Sequence, residues 1–153
     1  MATNQRFTEK AQEAILTAQR ETESRRLSQL EPEALLFGLL DQSDGVVPQV
    51  LLRLGVDPAA VRRDVVAALD RAPQLQISAE ASVGSTLRKA LQVAEVEARQ
   101  FGDEYVSTEH LLLGVLAAEG SAAARLLAGH GVARDRVYDA LTQNSWRPAR
   151  HRS

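Results

Sequence analysis

The chain has 153 residues, of which 44% are hydrophobic and 25% charged, and its 18 basic and 20 acidic side chains leave a net charge of −2. That length supports one domain with a substantial core, and the near balance of charge removes any general electrostatic reason to expect nucleic acid or an anionic membrane, so polypeptide is the better partner class. The absence of cysteine excludes disulfides, thiolate catalysis and cysteine-based zinc sites, while an aromatic share of 4% calls for an aliphatic interior.

The N-terminal segment MATNQRFTEK has no apolar signal core. No apolar run approaches the length that crosses a bilayer, so a cytoplasmic protein with no membrane partner is expected. Phe7, Ala11, Ala14, Ile15 and Ala18 then recur at helical spacing behind Thr8, a suitable N-cap. A polar stretch from Glu21 to Gln29 is expected to carry the chain to Glu31-Pro32, where proline suits a first helical turn. Leu35, Leu36, Leu39 and Leu40 predict the buried face of this second helix, which the turn residues from Asp41 to Gly45 close. A short third helix is expected from Pro48 through Leu51, Leu52 and Leu54, ended by Gly55 in a left-handed conformation. Asp57-Pro58 opens a fourth, with Val61, Val65, Ala68 and Leu69 inside.

Residues 70–84, with Pro73 and many small or polar side chains, read as a linker. Beyond it Leu87, Ala90, Leu91, Ala94 and Ala98 predict a further helix, which the 101–104 turn interrupts. Ser107 caps the next, burying Leu111, Leu112, Val115 and Leu116; Leu126 and Leu127 mark a third, with Gly131 its exit, and Val137, Ala140 and Leu141 a fourth. Residues 145–153 read as a basic, disordered tail carrying Trp146, Arg147, Pro148, Arg150 and Arg152.

The two halves are copies of one unit. A shift of 76 positions lays Glu33 on Glu109, Leu35 and Leu36 on Leu111 and Leu112, Gly38 on Gly114, and Gly55 on Gly131 without a gap. The expected architecture is therefore all-α: two pseudo-twofold-related four-helix repeats, about 7–69 and 85–143, joined by the 70–84 linker into one compact domain of residues 1–144. The linker has no counterpart in this scheme.

At RFTEKA, EPEALLFGLL, LGVDPAAV and GDEYVSTEHLLLGVL the sequence resembles the N-terminal domain of the Hsp100 Clp ATPases, closest to the ClpB disaggregase type with ClpC-like features in the second copy. The resemblance covers about 6–141. It implies a non-catalytic domain above an ATP-driven AAA+ unfolding ring, whose partners are unfolded or aggregated polypeptides and adaptor proteins. The family's ATPase modules carry a glycine-rich phosphate loop that is absent here. The alternative implied is a stand-alone regulator or decoy that competes for an adaptor or for phosphoarginine-tagged proteins.

On the ClpB pattern the polypeptide-binding positions are Thr8, Asp103, Tyr105 and Glu109. His110 and Glu97 put polar groups where that pattern implies an apolar groove wall. On the ClpC pattern Thr8, Glu33 and Glu109 are implied to hold a phosphoarginine, carboxylates clasping the guanidinium and threonine the phosphate. The repeat shift, however, carries Thr8 onto Gly84, leaving Ser85 or Thr86 as substitutes. Read without the resemblance, Glu33 and Glu109 simply favour the positive end of their helices, and residues 102–105 form a turn leading into the core. The three histidines, His110, His130 and His151, match no metalloprotease or triad pattern, so no catalytic residue, cofactor or metal site is expected.

Overall fold

The computed structural model describes residues 6–77 and 79–143. In each copy a pair of extended residues runs directly into a helix, twice over. The first copy comprises β1 (Arg6–Phe7), α1 (Glu9–Ser24), β2 (Gln29–Leu30), α2 (Pro32–Leu40), α3 (Val46–Arg53) and α4 (Pro58–Arg71). The second comprises β3 (Ser82–Val83), α5 (Ser85–Gln100), β4 (Tyr105–Val106), α6 (Thr108–Ala117), α7 (Ala122–Gly129) and α8 (Arg134–Thr142). The fold is all-α, with four very short strands among the described residues that helical periodicity does not announce. The expected tail at 145–153 lies outside the described residues.

The strands show how the copies join. β1 pairs in parallel with β4, setting Arg6 beside Tyr105 and Phe7 beside Val106, and β2 pairs in parallel with β3, setting Gln29 beside Ser82 and Leu30 beside Val83. Each copy thus exchanges its first strand for the other's second. One hydrogen bond continues each ladder: the Thr8 N–H donates to the Val106 carbonyl at 3.0 Å, and the Gly84 N–H to the Leu30 carbonyl at 3.0 Å. Residues 82–84 are therefore the counterpart of residues 6–8, which corrects the expectation that the whole linker lacks one. Because each strand feeds a helix, parallel pairing sets the N-termini of α1 and α6 side by side at one end and those of α2 and α5 at the other.

Between these ends α2 and α6 form the centre. The sequence predicts one buried face on each. In the structure Pro32 and every residue from Ala34 to Leu40 are buried, as is every residue from Thr108 to Val115. The reason is crowding: α2 meets α1, α4, α6 and α7, while α6 meets α5, α2, α7 and α3. Close approach depends on small residues. A Cβ on Gly38 would stand 2.1 Å from the Ala14 carbonyl oxygen, and one on Gly114 2.2 Å from that of Ala90.

Helix ends differ from expectation in two places. α1 continues to Ser24, through the stretch read as polar linker, because Thr22 turns inward and its hydroxyl donates to the Ala18 carbonyl at 2.8 Å. α3 starts at Val46 rather than Pro48 and ends at Arg53, before Leu54. The long helices stop alike: Arg26 (φ 58°) and Gly102 (φ 75°), equivalent under the repeat shift, both take the left-handed conformation. A Cβ makes that conformation costly at Arg26.

Two outcomes follow for thermal unfolding monitored by circular dichroism. Gly38→Ala and Gly114→Ala should each lower Tm by roughly 5–10 °C, since the added methyl meets backbone that cannot yield cheaply. Arg26→Gly should raise Tm by about 2–4 °C, and no gain would show that the left-handed turn is unstrained.

Candidate functional site

The β1–β4 end gathers four of the sequence-predicted residues. Thr8 caps α1, its Oγ1 accepting from the Ala11 N–H at 3.1 Å. Tyr105, half-buried on β4, accepts a hydrogen bond at its hydroxyl from Arg6 Nη1 at 3.1 Å, and the Arg6 guanidinium lies 5.6 Å from its ring centre. Asp103 and Glu109 lie deeper: the Asp103 side chain is 7% exposed, and Glu109, in the first turn of α6, only 1%. Thr8 and Tyr105 are thus only partly buried, whereas the Glu109 carboxyl lies beneath the surface.

His110, named from the sequence only as a polar group in the implied groove wall, organises this end. It is fully buried, accepts at Nδ1 from the Ser107 N–H at 2.9 Å, and places Nε2 3.0 Å from Asp103 Oδ2. Candidate ligand atoms of Asp103, Glu109 and His110 lie within 4.8 Å of one another, and these are residue types that hold transition metals. The hydrogen bonds argue for another role. A nitrogen that accepts from a backbone N–H carries no proton, so the ring proton sits on Nε2 and faces the Asp103 carboxylate. A metal-ligating histidine normally donates from its non-ligating nitrogen; here that nitrogen faces a donor. The chemistry is that of a hydrogen-bonded lock. Its sequence signal was the Ser107 to His110 spacing, that of N-cap to N3 in a capping box.

The β2–β3 end shares the backbone plan but not the side chains. Glu33 reaches across the seam: its Oε2 accepts from the Ala123 N–H at 3.0 Å, in the first turn of α7. Glu31 covers Gly84, where an added Cβ would stand 2.6–2.8 Å from the carboxyl group. The N-terminus of α5 therefore has a carboxylate over the position equivalent to Thr8. Burial, then the neighbouring charge of Glu33, pushes the Glu31 carboxyl above its ordinary range. A cavity of about 170 Å³ opens beside both acids, lined also by Thr22, Leu27, Gln29 and Leu69. A larger cleft of about 600 Å³ lies away from both ends, between α3 and α8, where Arg136 donates to the carbonyls of Gly131 at 2.6 Å and Leu54 at 3.0 Å. Its guanidinium is committed to tying α8 to the ends of α7 and α3.

Glu97, a proposed groove-wall position, is buried. Arg134 grips its Oε2 through Nε at 3.1 Å and Nη2 at 2.6 Å, fastening α5 to α8. Sequence spacing does not reveal this pair, since 37 positions separate its members.

Because the Glu31 carboxyl holds its proton more tightly in the fold than in the unfolded chain, it opposes folding once ionised, and stability falls as pH rises through the carboxyl range. Glu31→Gln should therefore raise Tm at pH 7, with the difference vanishing below about pH 4. Equal melting at neutral pH would refute the unfavourable setting.

The model of the Clp repeat (R) N-terminal domain matches residues 6–130. The chaperone protein ClpB of Bdellovibrio bacteriovorus is 34% identical over 138 residues, and ClpB 1 of Parasynechococcus marenigrum 39% over 142, covering 90% and 92% of this chain. The chain spans 16% of the length of each relative. Among solved structures, the Hsp104 N-terminal domain from Candida albicans superposes with a TM-score of 0.80 at 22% identity, covering 94% of this chain and 95% of that one. A ClpV N-domain in complex with a VipB peptide gives 0.68 at 17% identity, covering 90% and 91%. Among the described residues no single helix is long and apolar enough to cross a membrane.

Proposed function

The chain belongs to the Clp repeat N-terminal domain family, and on that premise we propose that it captures unfolded polypeptide segments or an adaptor protein, without bond-making chemistry, for an Hsp100 disaggregase or unfoldase ring. The site is the β1–β4 end. The observation that carries this reading is the exchanged strand pair, which brings Thr8 from one copy to the edge formed by Tyr105, Asp103 and Glu109 of the other. Such a surface offers a partly exposed ring and hydroxyl to an extended chain, over acidic groups that favour segments carrying basic side chains. The ClpV N-domain bound to a VipB peptide supports a peptide as the class of ligand.

Affinity is expected to be weak, with Kd above about 1 μM, because a shallow edge buries little apolar area and captured cargo must be released onward. Phosphoarginine is the less favoured ligand. Thr8 and Glu109 belong to one end and Glu33 to the other, where Glu31 would repel a phosphate approaching the N-terminus of α5.

Titrating reduced, carboxymethylated α-lactalbumin into the isotope-labelled chain should move the amide resonances of Thr8, Asp103, Tyr105 and their neighbours. Tyr105→Ala should weaken the interaction several-fold with little loss of Tm. Silence of those amides at millimolar probe would remove the β1–β4 end as the site.

A further inference from the structure

The lock at the β1–β4 end has three members, Ser107, His110 and Asp103. The repeat shift replaces all of them together in the first copy, by Glu31, Ala34 and Leu27. Leu27 and Ala34 are buried among apolar neighbours, so the duplicated backbone folds without any such network. The polar lock is an addition to one end only, the end assigned above to polypeptide.

We propose that His110 is a positioning residue for polypeptide capture: it holds the Asp103 carboxylate in its binding orientation while its other nitrogen anchors the ring to the N-cap of α6. The proposal rests on the functional reading of the β1–β4 end. Opposed hydrogen bonds give the ring a single tautomer, with Nδ1 accepting from the Ser107 N–H at 2.9 Å and Nε2–H donating to Asp103 Oδ2 at 3.0 Å. Packing holds the ring plane. Phe101 lies 5.6 Å from it, centre to centre, and Phe101 in turn rests 5.0 Å from Tyr138 of α8. The charged and titratable groups around the ring include Asp103 from the turn after α5, Glu109 from α6 itself and, through Phe101, Tyr138. A donor bonded to a carboxylate fixes the direction in which the group presents its charge, and charge-assisted bonds of this kind are stronger than neutral ones.

Two substitutions divide the functions of the ring. In His110→Asn the side-chain oxygen still accepts from the Ser107 N–H, but the amide is too short to reach Asp103. In His110→Gln the longer amide accepts from Ser107 and also donates to Asp103. With the whole chain and reduced, carboxymethylated α-lactalbumin as probe, His110→Asn should fold with a Tm lowered by several degrees and bind about 5–10-fold more weakly. His110→Gln should bind within about 2-fold of wild type, and Asp103→Asn should match the Asn variant. Wild-type affinity in folded His110→Asn would overturn the proposal. If that variant fails to fold, Asp103→Asn decides, because it leaves the ring in place: a binding loss supports the proposal and wild-type binding overturns it.

A readout without ligand separates this claim from the reading beneath it. Long-range proton–nitrogen spectra of the imidazole should show a neutral ring protonated at Nε2 at neutral pH. The Nδ1–H form, or an imidazolium, overturns the positioning role even if the probe binds. If the tautomer is as described but the wild-type chain ignores the probe, the functional reading falls, and the positioning role falls with it.

Discussion

Reciprocal pairing of two-residue strands is the constraint from which the rest of this molecule follows. The ladders contain few hydrogen bonds, yet their parallel direction fixes which helix starts lie together. Since the partners come from different copies, neither half can place α1 against α6, or α2 against α5, by itself. The energy that holds the arrangement lies elsewhere, in the burial of α2 and α6 and the close backbone contacts at Gly38 and Gly114. Strands thus specify the register, while aliphatic packing supplies most of the stability.

Duplication made two ends with one backbone plan, and side chains have since divided them. At one, Thr8 caps its helix and His110 joins Ser107 to Asp103. At the other, Gly84 has surrendered the capping position, Glu31 lies across it, and Glu33 is turned to the first turn of α7. One end is a hydrogen-bonded polar edge; the other places two carboxyl groups beside a small cavity. A ligand that follows the pseudo-twofold axis would meet unlike chemistry at its two ends, which favours a single principal site.

The eight helices of the described residues and the doubling were legible because they rest on local patterns: apolar spacing, caps such as Thr8 and Asp57, and a sustained repeat. The extent of burial on α2 and α6 was not, since a helix enclosed on all sides leaves no polar face and its period carries less information. The strand exchange also escaped periodicity, because two residues are too few to alternate. Side-chain partners were least accessible of all. Glu33 and Ala123 stand 90 positions apart, and Glu97 and Arg134 37, so only the folded arrangement identifies them. His110 was the intermediate case: its N3 spacing from Ser107 was visible, but the contact with Asp103 depends on how the turn after α5 folds back.

A structure of the chain with a bound unfolded-protein peptide tests the central claim most directly. The account predicts peptide along the β1–β4 edge, touching Thr8 and Tyr105 with Asp103 beside it and His110 still bonded beneath. Peptide seated instead in the α3–α8 cleft, or in the cavity beside Glu31 and Glu33, would contradict it.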